Sequence, residues 1–186
     1  MAKIITAQTA GFCFGVDNAV KLAMKILQDN PKQTRTYGEL IHNRQVSEKL
    51  ATDGVHAIQS MEQLDKDDHV VIRAQGIGEA VYEQLKEKQV HVHDATCSCV
   101  KRIHRLVSEK HREGWKIIIV GDKNHPEIIG INGWCGNEAL IVSEPEEAEA
   151  LPASEEPACV VSQTTMIPEK YEEIYNFIKK KFANAI

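Results

Sequence analysis

The chain has 186 residues, 42% of them hydrophobic and 26% charged, with a formal net charge of −5; this is the profile of a soluble globular protein. An acidic balance with the basic residues spread along the chain argues against nucleic acid as a partner, and no apolar run approaches the roughly 20 residues of a membrane span. Five cysteines at irregular spacing argue against a secreted disulfide framework, and the start lacks a signal-peptide pattern, so a reducing cytoplasm is the expected setting, where cysteines more often serve metal or catalysis.

In chain order, Lys3–Ala7 reads as a short strand leading to Gly11-Phe12-Cys13-Phe14-Gly15, two glycines that let backbone approach something bulky. The apolar spacing of Val16, Ala19, Val20, Ala23, Ile26 and Leu27 predicts a helix over 16–28, stopped by Asn30-Pro31. A strand ending near Ile41 delivers His42-Asn43, and Asn43 is suited to cap a helix that Asp53-Gly54 closes. A short strand over 55–58 and a Ser60/Gln63 capping box follow. A buried-type strand over 69–74 leads into Gln75-Gly76-Ile77-Gly78, which lacks the dinucleotide fingerprint, and a helix over 79–88.

The apolar run 90–95 ends in Asp94-Ala95-Thr96-Cys97-Ser98-Cys99, which opens a basic helix to Arg112. A cysteine between a strand end and a helix start is well placed to be a thiolate, because the helix N-terminus favours negative charge. Gly114 suits the helix end, and Lys116–Val120 is the most strand-like run; it opens into Gly121-Asp122-Lys123-Asn124-His125-Pro126-Glu127, with Pro126 in the first turn of a helix. A strand over 139–142, a Ser143/Glu146 capping box, an acidic solvated helix face over 144–149, a strand over 158–162 ending in Gln163-Thr164-Thr165, and a helix over 168–182 complete the chain. Alternating strands and helices predict an α/β fold with mostly parallel sheets, whose ligands bind beyond the carboxyl ends of the strands.

The pattern repeats. Cys13 and His42 are 29 positions apart and Cys97 and His125 28, and each histidine lies four residues after a glycine, Gly38 or Gly121. This predicts a duplicated unit, with a first α/β domain over 1–96 and a second over 97–186. Two thiolates rarely complete a metal centre, and a third copy would place its cysteine at or just beyond position 181, 84 residues after Cys97.

Taken together, Gly11-Phe12-Cys13-Phe14-Gly15-Val16, His42-Asn43, Asp94-Ala95-Thr96-Cys97, Asn124-His125-Pro126-Glu127 and Ser162-Gln163-Thr164-Thr165 resemble the 4-hydroxy-3-methylbut-2-enyl diphosphate reductases (the LytB/IspH family). The resemblance implies two of three similar domains in a pseudo-threefold arrangement around a 4Fe–4S cluster. It implies reductive dehydroxylation of the allylic diphosphate to isopentenyl and dimethylallyl diphosphate, in the methylerythritol phosphate route to isoprenoids. Electrons would come from an external donor such as ferredoxin or flavodoxin.

By the same resemblance Cys13 and Cys97 are cluster ligands, and His42, Gln75, His125, Thr164 and Thr165 bind substrate. Glu127 donates the proton, with the Thr164 hydroxyl beside it. The resemblance departs at Gln75, where the family has histidine, and the third cysteine and the Ser-x-Asn diphosphate motif have no counterpart. The chain alone is therefore expected to be inactive. The other reading is a non-catalytic diphosphate-binding or scaffold homologue without a cluster. Cys99, Cys135 and Cys159 read as packing residues, and His69, His91, His93, His104 and His111 as satisfied or solvated.

Overall fold

The computed structural model describes residues 4–31 and 33–186. Seven helices and seven strands alternate among them: α1 (Phe14–Asp29), β1 (Thr34–Tyr37), α2 (Arg44–Asp53), β2 (His56–Ile58), β3 (His69–Ile72), α3 (Glu79–Glu87), β4 (His91–Asp94), α4 (Ser98–Arg112), β5 (Lys116–Val120), α5 (Pro126–Asn132), β6 (Leu140–Val142), α6 (Pro145–Glu149), β7 (Ala158–Ser162) and α7 (Pro168–Lys181). The strands form two wholly parallel sheets, in orders β2-β1-β3-β4 and β6-β5-β7.

Both sheets are covered on both faces, which is why β3, β5 and β7 read as largely apolar runs, while the other central strand, β1, is Thr-Arg-Thr-Tyr with its two threonines buried. Side chains alternate across a strand. Ile117 and Ile119 of β5 therefore pack with Val107 of α4 and with Ile128 and Ile131 of α5, while Ile118 and Val120 face Ile174 and Ile178 of α7. In the first sheet Val71 joins Ala19, Ala23 and Leu27 of α1, and Val70 and Ile72 join Leu85 of α3.

The duplication is visible in the hydrogen bonds. Gly38 N–H donates to Ile58 O at the end of β2, and Gly121 N–H donates to Val142 O at the end of β6, each at 2.9 Å. Tyr37 is in register with Ile72, and Val120 with Ser162. The positions Gly38/Gly121, His42/His125, Arg44/Glu127, Ala74/Thr164 and Gln75/Thr165 therefore correspond. β4 lies beside β3, and on the corresponding side of β7 Ile186 bonds to Ala158 O and accepts from Val160 N–H.

Three local expectations fail. The strand expected to end near Ile41 ends at Tyr37, where Gly38 at φ 70° turns the chain out of the sheet. Lys3 lies outside the described residues, and Ile4–Ala7 form no strand; Ile4 and Ile5 are 90% and 78% exposed, and no neighbouring strand supplies the ladder that an extended segment needs. The capping box before α6 sits one residue later than expected. Glu147, not Glu146, accepts from the Ser143 and Glu144 amides, because Pro145, with no N–H to satisfy, takes the first helical position. Asn43 does cap α2, accepting from Val46 N–H at 3.1 Å, and Gly54 ends it at φ 111°.

Candidate functional site

The polar clusters lie where parallel strands end. Cys13 and Cys97 are the N-cap residues of α1 and α4, both with non-helical backbone and with no side-chain bond to the helix amides. Each sulfur is therefore free to bind elsewhere at the positive end of a helix of about four turns. The two helix starts meet: a Cβ on Gly15 would lie 2.9 Å from Cys97 Sγ, so only glycine lets the first turn of α1 close over that sulfur. Cys13 and Cys99 are exposed and Cys97 half-buried, whereas Cys135 and Cys159 are buried. Burial pushes both of the latter thiols up, as suits packing residues.

The His42 and His125 rings lie 5.1 Å apart. His125 caps α5: its Nδ1 accepts from Glu127 N–H at 3.1 Å. That bond fixes the tautomer, leaving Nε2 as the N–H donor. Burial, then the neighbouring His42, lower the His125 pKa, against Glu127 and Asp122, which raise it. His125 is thus a neutral donor near pH 7.

Glu127 is only 4% exposed. Both its oxygens accept from one residue, Oε1 from Thr164 N–H at 2.7 Å and Oε2 from Thr164 Oγ1 at 2.8 Å, and Thr164 itself is exposed. Thr165 Oγ1 accepts from Gln163 Nε2 at 2.9 Å. Gln75 is half-buried, and its Oε1 is buried with no hydrogen-bond partner. Its loop touches α5 backbone to backbone: a Cβ on Gly130 would lie 3.4 Å from Gly76 C, and one on Gly133 2.5 Å from Gly78 Cα.

Sequence reasoning missed Arg73. It corresponds to Gln163, two residues before Gln75, and lies along Gly38, whose absent Cβ would sit 2.8 Å from its guanidinium. Arg73 Nε donates to Gly76 O at 3.2 Å. No carboxylate pairs with it among the described residues, and it lowers the His125 pKa. Burial is the main influence on its own pKa, which falls. An arginine closing a buried strand beside a turn glycine was the available signal.

His104 corrects a second reading. It is 6% exposed, with its Nε2 buried and unpartnered, so it is neither satisfied nor solvated. Burial, against the pull of Asp94, drops its pKa to about 4.

The residues fit part of an iron–sulfur site. Two thiols stand uncapped at adjoining helix starts, and thiolate is the ligand type such clusters need. No group of three or more histidine, cysteine or acidic residues able to hold a metal ion occurs among the described residues. No helix there is long and apolar enough to cross a membrane.

The model of the family described as "LytB protein" matches residues 4–186. A 4-hydroxy-3-methylbut-2-enyl diphosphate reductase of Caldanaerobacter subterraneus is 47% identical over 183 residues, covering 96% of this chain and 63% of the relative. One from Clostridioides difficile is 38% identical over 181 residues, covering 97% of this chain and 65% of the relative. The solved E-1-hydroxy-2-methyl-but-2-enyl-4-diphosphate reductase of Plasmodium falciparum superposes with a TM-score of 0.90 at 27% identity, over 96% of this chain and 57% of that one. A second solved reductase, described as the terminal enzyme of the non-mevalonate pathway, gives 0.83 at 37% identity, over 100% and 66%. The chain spans a little under two thirds of the length of these curated relatives, and it belongs to the LytB protein family.

Proposed function

We propose that the chain supplies two of the three domains of a 4-hydroxy-3-methylbut-2-enyl diphosphate reductase, dividing near Cys97, and that it works in the cytoplasm. The observation that carries this reading is the pairing of a twofold repeat, Cys13/Cys97 and His42/His125, with a single carboxylate–threonine couple, Glu127–Thr164, at the same strand ends. Cys13 and Cys97 would hold two corners of a 4Fe–4S cluster. When bound, that cluster supplies electrons from a carrier such as ferredoxin or flavodoxin and a Lewis-acidic iron for the allylic oxygen.

The remaining steps belong to the chain's own side chains. His125 Nε2–H, His42, Gln75, Thr165 and the Arg73 guanidinium form a donor-rich wall for a diphosphate, and charge-assisted bonds from such donors are roughly twice as strong as neutral ones. Glu127 is too buried to meet substrate directly, so its proton reaches the cleft through Thr164. With Glu127 protonated at Oε2, the Oε2–Oγ1 bond reverses, Thr164 accepts from the acid, and its own hydroxyl proton passes to the departing hydroxyl. The allylic C–O bond breaks with its bonding pair leaving on oxygen, which departs as water, and the carbon skeleton takes up two electrons from the external donor and a second proton. Gln75 donates a hydrogen bond but carries no charge, so this wall is less cationic than one with histidine there.

The chain joined to the last third of the Caldanaerobacter relative, reconstituted anaerobically with iron and sulfide, is expected to reduce the allylic diphosphate with a strong one-electron donor. The chain alone is expected to turn over at a small fraction of that rate. A joined protein that binds the diphosphate without a cluster and without turnover would favour the binding or scaffold reading instead.

A further inference from the structure

Outside the strand-end cleft, a cavity of about 300 Å³ lies between α3, the β4–α4 junction and the Gly133–Cys135 turn. Its walls come from both repeats. Ile77, Tyr82 and Trp134 are apolar or aromatic, and Lys101, Arg105 and Arg112 line one side of α4. None of Cys13, His42, Gln75, Cys97, His125, Glu127, Thr164 or Thr165 lines it.

We propose that this cavity binds an organic phosphate with a flat or branched apolar body. The apolar wall is held in place before any ligand arrives: Trp134 Nε1 donates to Ile77 O across the two repeats at 2.9 Å, and His104 stacks on the indole with ring centroids 5.4 Å apart. The charge is unbalanced. Of three lining cations only Lys101 has a carboxylate partner, Asp94 at 2.8 Å; Arg105 and Arg112 have none among the described residues. The surplus of two positive charges matches a phosphate monoester, which is dianionic near neutral pH, better than a carboxylate.

His104 backs this wall: it is 6% exposed, and its unpartnered Nε2 is turned against Gly76, whose absent Cβ would lie 3.2 Å away, so the imidazole holds the indole in place rather than meeting a ligand. Concave apolar walls with a few convergent polar groups are the usual form of small-molecule sites, and this volume is at their lower limit. The proposal does not rest on the reductase reading and needs no cluster.

The indole makes the test direct. There are two tryptophans, and Trp115 lies outside the cavity under Lys110, so Trp115→Phe leaves Trp134 as the reporter. Titration with phenyl phosphate is expected to change its fluorescence saturably. Binding should be at least about tenfold tighter than for inorganic phosphate or benzyl alcohol, about 1.4 kcal/mol, because each of these lacks either the apolar body or the charge-assisted bonds. The double variant Arg105→Gln/Arg112→Gln, with an unchanged melting temperature, should weaken it about tenfold or more. Calorimetry on the unaltered chain gives the same comparison should Trp115→Phe fold poorly. No saturable binding, equal binding of inorganic phosphate, or full affinity in the double variant would each overturn the proposal, the last by placing the ligand in the Arg73 cleft.

Discussion

The two repeats carry the same topology and different chemistry. In the second, every polar group at the strand ends is held by its own repeat: His125 caps α5, Glu127 is gripped twice by Thr164, and Gln163 bridges the Asp122 amide and Thr165. In the first, the capping falls to Asn43 rather than His42, Arg44 stands where Glu127 would be and pairs with Glu48, Ala74 stands for Thr164, and Gln75 keeps a buried oxygen unpartnered. A duplicated scaffold thus places residues equivalently while, among the described residues, only the second copy holds a carboxylate–threonine couple at these positions. On the proposed reading that couple carries the proton, and both copies contribute donors to the diphosphate.

The largest expected effect breaks this asymmetry at its centre. In the three-domain form, Glu127→Gln keeps the shape and an acceptor for Thr164 but removes the acid. It should lower turnover at least about 100-fold, the usual worth of a positioned general acid, with diphosphate affinity little changed. A small effect on turnover would remove Glu127 from the proton path.

At the seam between the repeats, His104 gives a pH signature. The unfolded imidazole has a pKa near 6.5 and the folded one about 4, so the unfolded chain takes up the proton first as pH falls. The His104 contribution should be constant above about pH 6.5, fall between 6.5 and 4 by roughly 3 kcal/mol in total, and level off below. Urea unfolding across that range should show a slope in the native chain that is reduced by this amount in His104→Gln, the remainder coming from His69, His93 and His125, whose pKa values are also lowered.

Thr164→Val removes one of two bonds to a buried carboxylate without changing side-chain size much. It should cost about 2 kcal/mol of stability by chemical denaturation, far more than Thr165→Val, whose hydroxyl lies on the surface. Equal costs would mean that the Glu127 grip is not what fixes the second half. The smallest effect is in the open half. Gln75→His should tighten diphosphate binding several-fold at mildly acidic pH, where an imidazolium donates a charge-assisted bond, and titration calorimetry between pH 5.5 and 8 would register it. Weaker binding at every pH would show the glutamine to be adapted to its place.

The strands with continuous apolar runs, the Asn43 cap, Pro126 and the two Cys–His spacings were legible because each follows from local periodicity or turn chemistry. Ile4–Ala7 misled because an apolar alternation predicts a strand only where a ladder exists to receive it, and ladder partners are non-local. The α6 capping box slipped because Pro145 sets the first helical residue more strongly than a serine upstream. Arg73, despite its place at the end of a buried strand, and His104 were passed over for another reason. Their importance comes from glycines that let them lie close, Gly38 and Gly76, and from what fails to pair with them, neither of which a single chain position reveals. The seam of Gly76, Gly78, Gly130 and Gly133 was likewise unreadable until two distant loops met.

The most direct test of the central claim is the iron and acid-labile sulfide content of the chain after anaerobic reconstitution, measured beside Cys13→Ser, Cys97→Ser and Cys99→Ser. The serine variants of Cys13 and Cys97 should each lose most of the iron that the native chain retains, while Cys99→Ser keeps it. Equal iron in all four proteins, or loss only on changing Cys99, would contradict that claim.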